Sequence, residues 1–236
     1  MNNNVETISA TDVIAVATNN DHPDSTSEAA LQGILKHQAL LAKLRTAYGT
    51  FPGYESEGIS AILHEEQSVQ PGTVLTRPLS DRLLLTAIPD VVIGGFTVVD
   101  FKPPNHKHLE RFKLQTILTS VAAAHTFSLS NITAMVFLYR TETAYVSVGA
   151  MTNMWNDLIA LSRLAHMIRT NRDLLEADKK RAREKSGAWQ RSFFDPVPIS
   201  PHRRDQLHVE SIQLRQQFDE ILKQFRSQAK HEFQQV

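Results

Sequence analysis

The chain has 236 residues, 42% of them apolar, and its 25 basic side chains balance 25 acidic ones. This length and apolar content suffice for a domain with a substantial hydrophobic core, whereas the balanced charge restricts any nucleic-acid surface to a local patch. Cysteine is absent, which excludes disulfides, thiolate catalysis and a cysteine-bound iron–sulfur cluster. No apolar run has the length of a membrane span and no signal-peptide pattern is present at the N-terminus, so we expect an intracellular, cytoplasmic protein, or a nuclear one in a eukaryote, with no membrane partner.

The N-terminal segment, residues 1–26, is polar and rich in turn-forming residues. Such a composition cannot bury enough apolar surface to order itself, and it predicts that most of this segment is a disordered tail. The apolar run Val13–Val16 is the exception, since it can form a short ordered piece.

Apolar residues at helical spacing predict two helices, over 28–48 and 57–67. In the second helix, at about 100° per residue, Glu66 lies in the middle of the apolar stripe, Glu65 on its flank and His64 nearly opposite. Glu66 therefore either directs its carboxylate at the core or, at the last turn, reaches solvent. The phase of His64 favours a surface histidine.

Residues 73–76 and 81–86 are rich in threonine and leucine, and we expect each to form a strand. The intervening residues 77–80 contain a proline and predict a break between the two strands. Both strands are expected to extend the central sheet.

A β-hairpin is predicted over residues 88–102, where two β-branched apolar runs flank a Gly-Gly pair. Side chains alternate between the faces of a strand, so Asp100 and Lys102 point the same way. A buried, unpaired carboxylate is costly. Asp90, Asp100 and Lys102 therefore need partners, and a divalent cation would satisfy the carboxylates.

The length of the hairpin loop decides whether the two carboxylates can meet. A two-residue loop at Gly94-Gly95 would place Asp90 opposite Val99 and on the other face from Asp100, because cross-strand partners share a face. A three-residue loop over 94–96 places Asp90 opposite Asp100. We predict the longer loop or an equivalent bulge.

Pro89-Asp90 followed by Asp100-Phe101-Lys102 resembles the motif of the PD-(D/E)XK nuclease superfamily at every defining position. The sequence Ile-Gly-Gly-Phe-Thr-Val-Val-Asp-Phe-Lys is most similar to the RecB-type branch. The resemblance covers roughly 58–149. It implies an α/β fold, with a mixed central β-sheet flanked by helices as in restriction endonucleases.

The resemblance also implies a catalytic metal site. Asp90, Asp100 and Glu66 would hold one or two Mg²⁺ or Mn²⁺ ions, with the backbone carbonyl of Phe101 as a further oxygen ligand. Glu66 is included among the ligands because this superfamily often supplies another acidic residue from the helix before the hairpin. Lys102 would position the nucleophile or stabilise developing charge.

A helix is predicted over 108–124, after two prolines that end the strand. Gln115 stands where RecB-type nucleases place a glutamine followed four residues later by tyrosine, but here the later residue is Thr119. The glutamine either hydrogen-bonds a nucleotide or positions the surroundings of the nucleophile, or it is a capping or surface amide. RecB-type relatives also use a helix histidine as a metal ligand, for which His64 is the candidate.

Strand-forming runs at 132–139 and 143–148 complete a predicted sheet of about four to six strands. Together these elements define a nuclease-like core over residues 27–150. Residues 151–236 are expected to form a helical extension with a proline-rich linker at 192–203.

Two long helices are predicted in this extension, over 153–185 and 204–233. The first ends in a basic run at 179–185, which is either a solvated helix end or a phosphate contact. The apolar stripes of both helices can pack on the core, on each other or on another subunit, so a homodimer or a protein partner is one interpretation.

The function implied by the resemblance is that of a magnesium-dependent deoxyribonuclease of repair, recombination, restriction or mobile-element type. Two alternatives remain: an RNA endonuclease of the cap-snatching kind, whose motif is similar, and an inactive nuclease-fold protein that serves as a binding or assembly module. DNA is therefore the expected partner ahead of RNA.

Overall fold

A computed structural model describes residues 5–19, 73–93, 97–103, 106–138, 141, 143–185 and 199–236. The described residues form an α/β fold with two mixed sheets and flanking helices. The elements, in chain order, are β1 (Glu6–Ser9), α1 (Ala10–Ala17), β2 (Leu75–Ser80), β3 (Leu83–Ala87), β4 (Val91–Ile93), β5 (Thr97–Lys102), α2 (Leu109–Thr126), β6 (Thr133–Leu138), β7 (Thr143–Val148), α3 (Trp155–Lys185), α4 (Pro201–Glu232) and β8 (Gln234–Gln235).

The N-terminal residues 6–17 are folded, so the prediction of a tail is wrong for this stretch. Strand β1 lies parallel to β3, and helix α1 buries Val13 and Ile14 in the hydrophobic core. Ser9 and Asp12 form a capping box at the start of α1, with hydrogen bonds of 3.0 and 3.1 Å. The ordered piece predicted at Val13–Val16 is confirmed as part of α1.

The smaller sheet has the strand order β1-β3-β2 and corrects two predictions about residues 73–86. These strands form a sheet of their own and do not extend the central one. The predicted break at 77–80 is also wrong, because β2 continues through Pro78 to Ser80. Pro78 is tolerated because β2 is at the edge of the sheet among the described strands and its register shifts between Pro78 and Ser80, where a missing N–H costs little.

The larger sheet has the strand order β4-β5-β6-β7-β8. Its only parallel pair among the described strands is β5 with β6, joined through helix α2 as a crossover connection. The predictions of a helix over 108–124 and of strands over 132–139 and 143–148 are confirmed to within two residues at each end.

Helix α2 is the centre of the hydrophobic core. It packs against strands of both sheets and against α1 and α4. From Phe112 to Ala124 its residues are buried, except for the half-buried Gln115. A helix enclosed on nearly all sides is a rigid support for residues that it presents to a strand.

The C-terminal helices α3 and α4 pack both on the core and on each other, which resolves two of the alternatives left by the sequence. Phe218 and Phe225 of α4 belong to the same hydrophobic core as the sheets. Near the other end of the pair, the buried Asp178 of α3 accepts hydrogen bonds from Arg204 and from the backbone N–H of Ile199. No helix in the described part of the chain combines the length and apolar character that crossing a membrane requires.

Parts of the predicted linker and of the C-terminal surface are also visible. Pro201, placed in the linker by the sequence, is the first residue of α4, whose N-cap is Ser200. The rest of the linker before residue 199 lies outside the described residues. Val209 and Ile212 are exposed on α4, so a protein partner or a second copy on this face stays a prediction.

The buried Lys113 of α2 holds the C-terminal end of α4. Its Nζ donates to the carbonyl oxygen of Ala229 at 3.2 Å and lies 5.2 Å from the ring centroid of Phe233. The ammonium therefore lies at the negative end of the helix dipole of α4 and over an aromatic face. This contact fixes the chain just before β8 joins the sheet.

We expect Lys113→Ala to lower the free energy of unfolding by about 2 kcal/mol, because a hydrogen bond from a charged donor and buried methylene packing are both lost. Urea unfolding followed by circular dichroism measures this change. Lys223→Ala, which truncates an exposed lysine of α4, is the matched control and should leave the midpoint nearly unchanged. Equal midpoints for the two variants would contradict the role given to Lys113.

Candidate metal centre

The register of the β4–β5 hairpin brings the two motif carboxylates together. Ile93 pairs with Thr97, and Val91 with Val99. Three residues, 94–96, therefore connect the paired strands, and the predicted three-residue register is confirmed. These connecting residues themselves lie outside the described part of the chain. Continued by one step, the same register places Asp90 opposite Asp100.

Asp90 and Asp100 face each other at a position of the β4–β5 pair where the two strands are closely spaced. The N–H of Phe101 points toward the β4 side, where it donates to Asp90. Because hydrogen-bonded and non-hydrogen-bonded positions alternate along an antiparallel pair, Asp100 is at a non-hydrogen-bonded position, at which opposite Cα atoms are only about 4.5 Å apart. The side chain of Asp90 is close enough to Asp100 to raise the pKa of Asp100.

Asp90 is fixed by the backbone of the neighbouring strand. Its Oδ2 accepts a hydrogen bond of 2.8 Å from the N–H of Phe101. The residue opposite Phe101 in this register is Pro89, which has no N–H and so cannot continue the ladder. The aspartate thus replaces a strand partner at the point where β4 begins, and its carboxylate is held at the edge of the sheet.

Asp100 is buried, with only 7% of its surface exposed. Lys102 Nζ lies 3.0 Å from its Oδ1, which confirms that the two side chains share a face of β5. On the other side, Thr116 Oγ1 of α2 lies 3.3 Å from Oδ2. The two oxygens of the carboxylate are therefore held from different elements.

The electrostatic environment disfavours an ionised Asp100 in the absence of a cation. Burial raises the pKa of Asp100, the ammonium of Lys102 opposes this effect, and the neighbouring Asp90 adds to it, so that the pKa is about 7 instead of 3.8. A carboxylate pair with this character gains from a bound cation, because the cation offsets both the burial and the like-charge repulsion.

Lys102 packs against α2 as well as against Asp100. Its Nζ lies 5.6 Å from the centroid of the Phe112 ring, within the range of a cation–π interaction. The side chain is mostly buried, at 13% exposure. Phe112 and Thr116 are one helical turn apart, so a single face of α2 supports both Lys102 and Asp100.

The remaining predicted site residues have different outcomes. Gln115 is half-buried in α2, one residue before Thr116, and its contact with a nucleotide stays a prediction. Phe101 is buried in β5, with its side chain packed against Phe137 on the opposite face of the sheet. Glu66 and its neighbours Glu65 and His64 lie outside the described residues.

Thr116 is the site residue that the sequence analysis missed. The available signal was its spacing: it follows Gln115 directly and lies four residues after Phe112, on the face that packs against the hairpin. Without knowledge of how α2 packs on β5, nothing distinguished it from the other hydroxyl residues of that helix.

The donor set fits a hard divalent cation. Asp90 and Asp100 supply carboxylate oxygens, and Mg²⁺ is commonly held by one or two carboxylates, with water and substrate phosphates completing the coordination. Within the described ranges, no group of three or more His, Cys, Asp or Glu side chains is arranged to hold a metal. Any third carboxylate must therefore come from the rest of the chain, which includes Glu66.

Comparisons with known proteins give no match: neither the protein-family models, nor the curated proteins, nor the solved structures contain a match to this chain. The function of the chain is therefore inferred from the residues and geometry of the site.

Proposed function

We propose that the chain is a metal-dependent nuclease of the PD-(D/E)XK type that hydrolyses phosphodiester bonds in DNA. The observation that carries the proposal is the convergence of Asp90, Asp100 and Lys102 at one point of the larger sheet. Two acidic side chains and an amine on neighbouring strands suit metal-assisted phosphoryl transfer. The order β4, β5, α2, β6, with a crossover helix after the lysine strand, also supports it.

The metal ligands in this proposal are Asp90, Asp100 and the backbone carbonyl of Phe101, with Glu66 as a further carboxylate. A bound Mg²⁺ or Mn²⁺ would lower the pKa of a coordinated water and offset charge in the phosphoryl transition state. The N–H of Phe101 fixes Asp90, at 2.8 Å, so the ligand is oriented before substrate arrives. Preorganised ligands avoid reorganisation during the reaction.

Lys102 is the proposed residue that orients the nucleophile or stabilises the developing charge. An ammonium group has three donors, so Lys102 can hold Asp100 with one and the attacking water or a phosphate oxygen with another. Its position over the ring of Phe112 limits the conformations of the long side chain. Gln115, which is half-buried in α2, is the proposed contact to a nucleotide.

Purified protein should cut DNA in Mg²⁺ or Mn²⁺ and be inactive in a chelator. The assay compares linear and circular duplex DNA, single-stranded DNA and RNA under one set of conditions. Cleavage of RNA alone would replace the proposal with an RNA endonuclease. Failure to bind metal by calorimetry together with no cleavage of any substrate would replace it with a nuclease-fold binding module.

Lys102→Met is expected to lower the cleavage rate about 10²-fold or more, because a preorganised cation near the reacting phosphate is removed. The variant should still bind Mn²⁺ to within about tenfold, since it keeps every proposed ligand and loses only one anchor of Asp100. Lys223→Met, on the surface of α4, is the control and should cut at the wild-type rate. If Lys102→Met cut as fast as this control, Lys102 would have no part in the reaction.

A further inference from the structure

We propose that Thr116 is a positioning residue that orients the Asp100 carboxylate toward the metal. This inference rests on the proposed function, because it concerns the same site. The hydroxyl of Thr116 is fully buried, and its Oγ1 lies 3.3 Å from Oδ2 of Asp100. Lys102 holds the other oxygen, Oδ1, at 3.0 Å.

Two anchors on different oxygens fix the rotation of a carboxylate about its terminal bond. With Lys102 alone, the group can still turn about the axis of that contact, because the terminal torsion of aspartate has a broad energy minimum. Thr116 removes this freedom by holding the second oxygen. Each carboxylate oxygen can accept from more than one partner, so the anchors leave room for a metal on Asp100.

The hydroxyl of Thr116 has a second neighbour. Its Oγ1 lies 2.9 Å from the carbonyl oxygen of Phe112, one turn earlier in α2. A hydroxyl carries one proton, so Thr116 donates either to this carbonyl or to Asp100. The Phe112 carbonyl also receives the backbone N–H of Thr116 in the helix. The shorter distance favours donation to the Phe112 carbonyl in the metal-free protein. Once Asp100 is ionised, its carboxylate competes for the proton, since charge-assisted hydrogen bonds are stronger.

The neighbouring hydroxyls of α2 show what is particular to Thr116. Thr119 donates to the carbonyl of Gln115 at 2.9 Å, and Ser120 to that of Thr116 at 2.8 Å, each four residues back. Among the described residues, neither hydroxyl has a carboxylate contact comparable to that of Thr116. The bond to the helix is thus shared by all three, and the contact with Asp100 distinguishes Thr116.

The support behind Thr116 is rigid. Helix α2 packs against strands of both sheets, so the backbone that carries the hydroxyl stays in place if the carboxylate turns away. Residues that hold a ligand on well-packed elements fix it better than residues on loops. The well-packed helix thus fixes Thr116, and Thr116 in turn orients the carboxylate of Asp100.

The test is Mn²⁺ calorimetry on the full chain, with Thr116→Val and Thr116→Ser. Valine keeps the shape of threonine and removes the hydroxyl; we expect the dissociation constant for Mn²⁺ to rise about tenfold, as is typical when a residue that holds a metal ligand is lost. Serine restores the hydroxyl and should bring the constant back to the wild-type value. Thr119→Val, the matched control, should bind as the wild type does.

The outcomes separate this inference from the proposed function. If the wild type binds no Mn²⁺, the proposed function fails and the role of Thr116 with it. If the wild type binds Mn²⁺ and Thr116→Val binds equally well, or if Thr116→Ser is as weak as the valine variant, only the inference is overturned. Thermal unfolding checks each variant, and Thr116→Ala replaces the valine variant if valine prevents folding.

Discussion

Asp100→Asn is expected to lower metal-dependent DNA cleavage by about 10³-fold. Asparagine keeps the size of the side chain and, with its carbonyl oxygen toward Lys102, the contact with that ammonium, but it removes the charge that binds the metal. A bound metal supplies several kcal/mol of transition-state stabilisation, and a loss of about 4 kcal/mol corresponds to a 10³-fold lower rate. The single-turnover cleavage rate at saturating Mg²⁺ measures this effect.

The metal affinity of Asp100→Asn should fall together with its cleavage rate, because both depend on the same site. The matched control is Asp157→Asn, which changes an exposed aspartate in the first turn of α3 and should leave both values unaffected. A preparation in which Asp100→Asn cuts DNA at the wild-type rate would show that the observed activity does not come from this site. Loss of cleavage with unchanged metal affinity would instead place the metal elsewhere.

The hairpin and its register could be predicted because local rules determine them. The alternation of side chains assigns Asp100 and Lys102 to one face, and the requirement that Asp90 share that face selects a three-residue connection. The structure has this register, with Ile93 paired to Thr97. The local sequence pattern of the hairpin is thus sufficient to predict that Asp90, Asp100 and Lys102 share one face.

The parts that sequence reasoning missed depend on contacts between distant segments. Strand β1 pairs with β3, more than 70 residues away, so the polar composition around it gave no sign of order. Pro78 is compatible with β2 only because that strand is at an edge, and strand order is not a local property. The role of Thr116 likewise depends on the packing of α2 against β5.

The metal-free protein is expected to lose stability as the pH rises from about 4 to above 7. The pKa of Asp100 in the folded state is about 7, whereas in the unfolded chain it is about 3.9. Between these values the folded state binds more protons than the unfolded state, so the free energy of unfolding falls with increasing pH. The stabilisation is complete below pH 4 and is lost as the pH passes through 7.

Asp12 contributes with the opposite sign and in a different range. Burial alone would raise its pKa, but hydrogen bonds from the backbone and side chain of Ser9 and the guanidinium of Arg169 lower it. Its stabilisation is therefore present above pH 4 and is lost at lower pH. Comparing the wild type with Asp100→Asn at each pH removes this contribution, since Asp12 is the same in both proteins.

The measurement is urea unfolding of both proteins in a chelator between pH 4 and 8, repeated with Mn²⁺. We expect the wild type to lose a few kcal/mol relative to Asp100→Asn over this range, because an ionised Asp100 is buried beside Asp90. Mn²⁺ should restore the wild type at pH 8 and leave Asp100→Asn unchanged, since a ligand that binds only the folded state stabilises it. Parallel pH profiles for the two proteins would show that Asp100 keeps an ordinary pKa. A deficit that Mn²⁺ does not reverse would mean that Mn²⁺ does not bind at the carboxylate pair, which would contradict the proposed metal site.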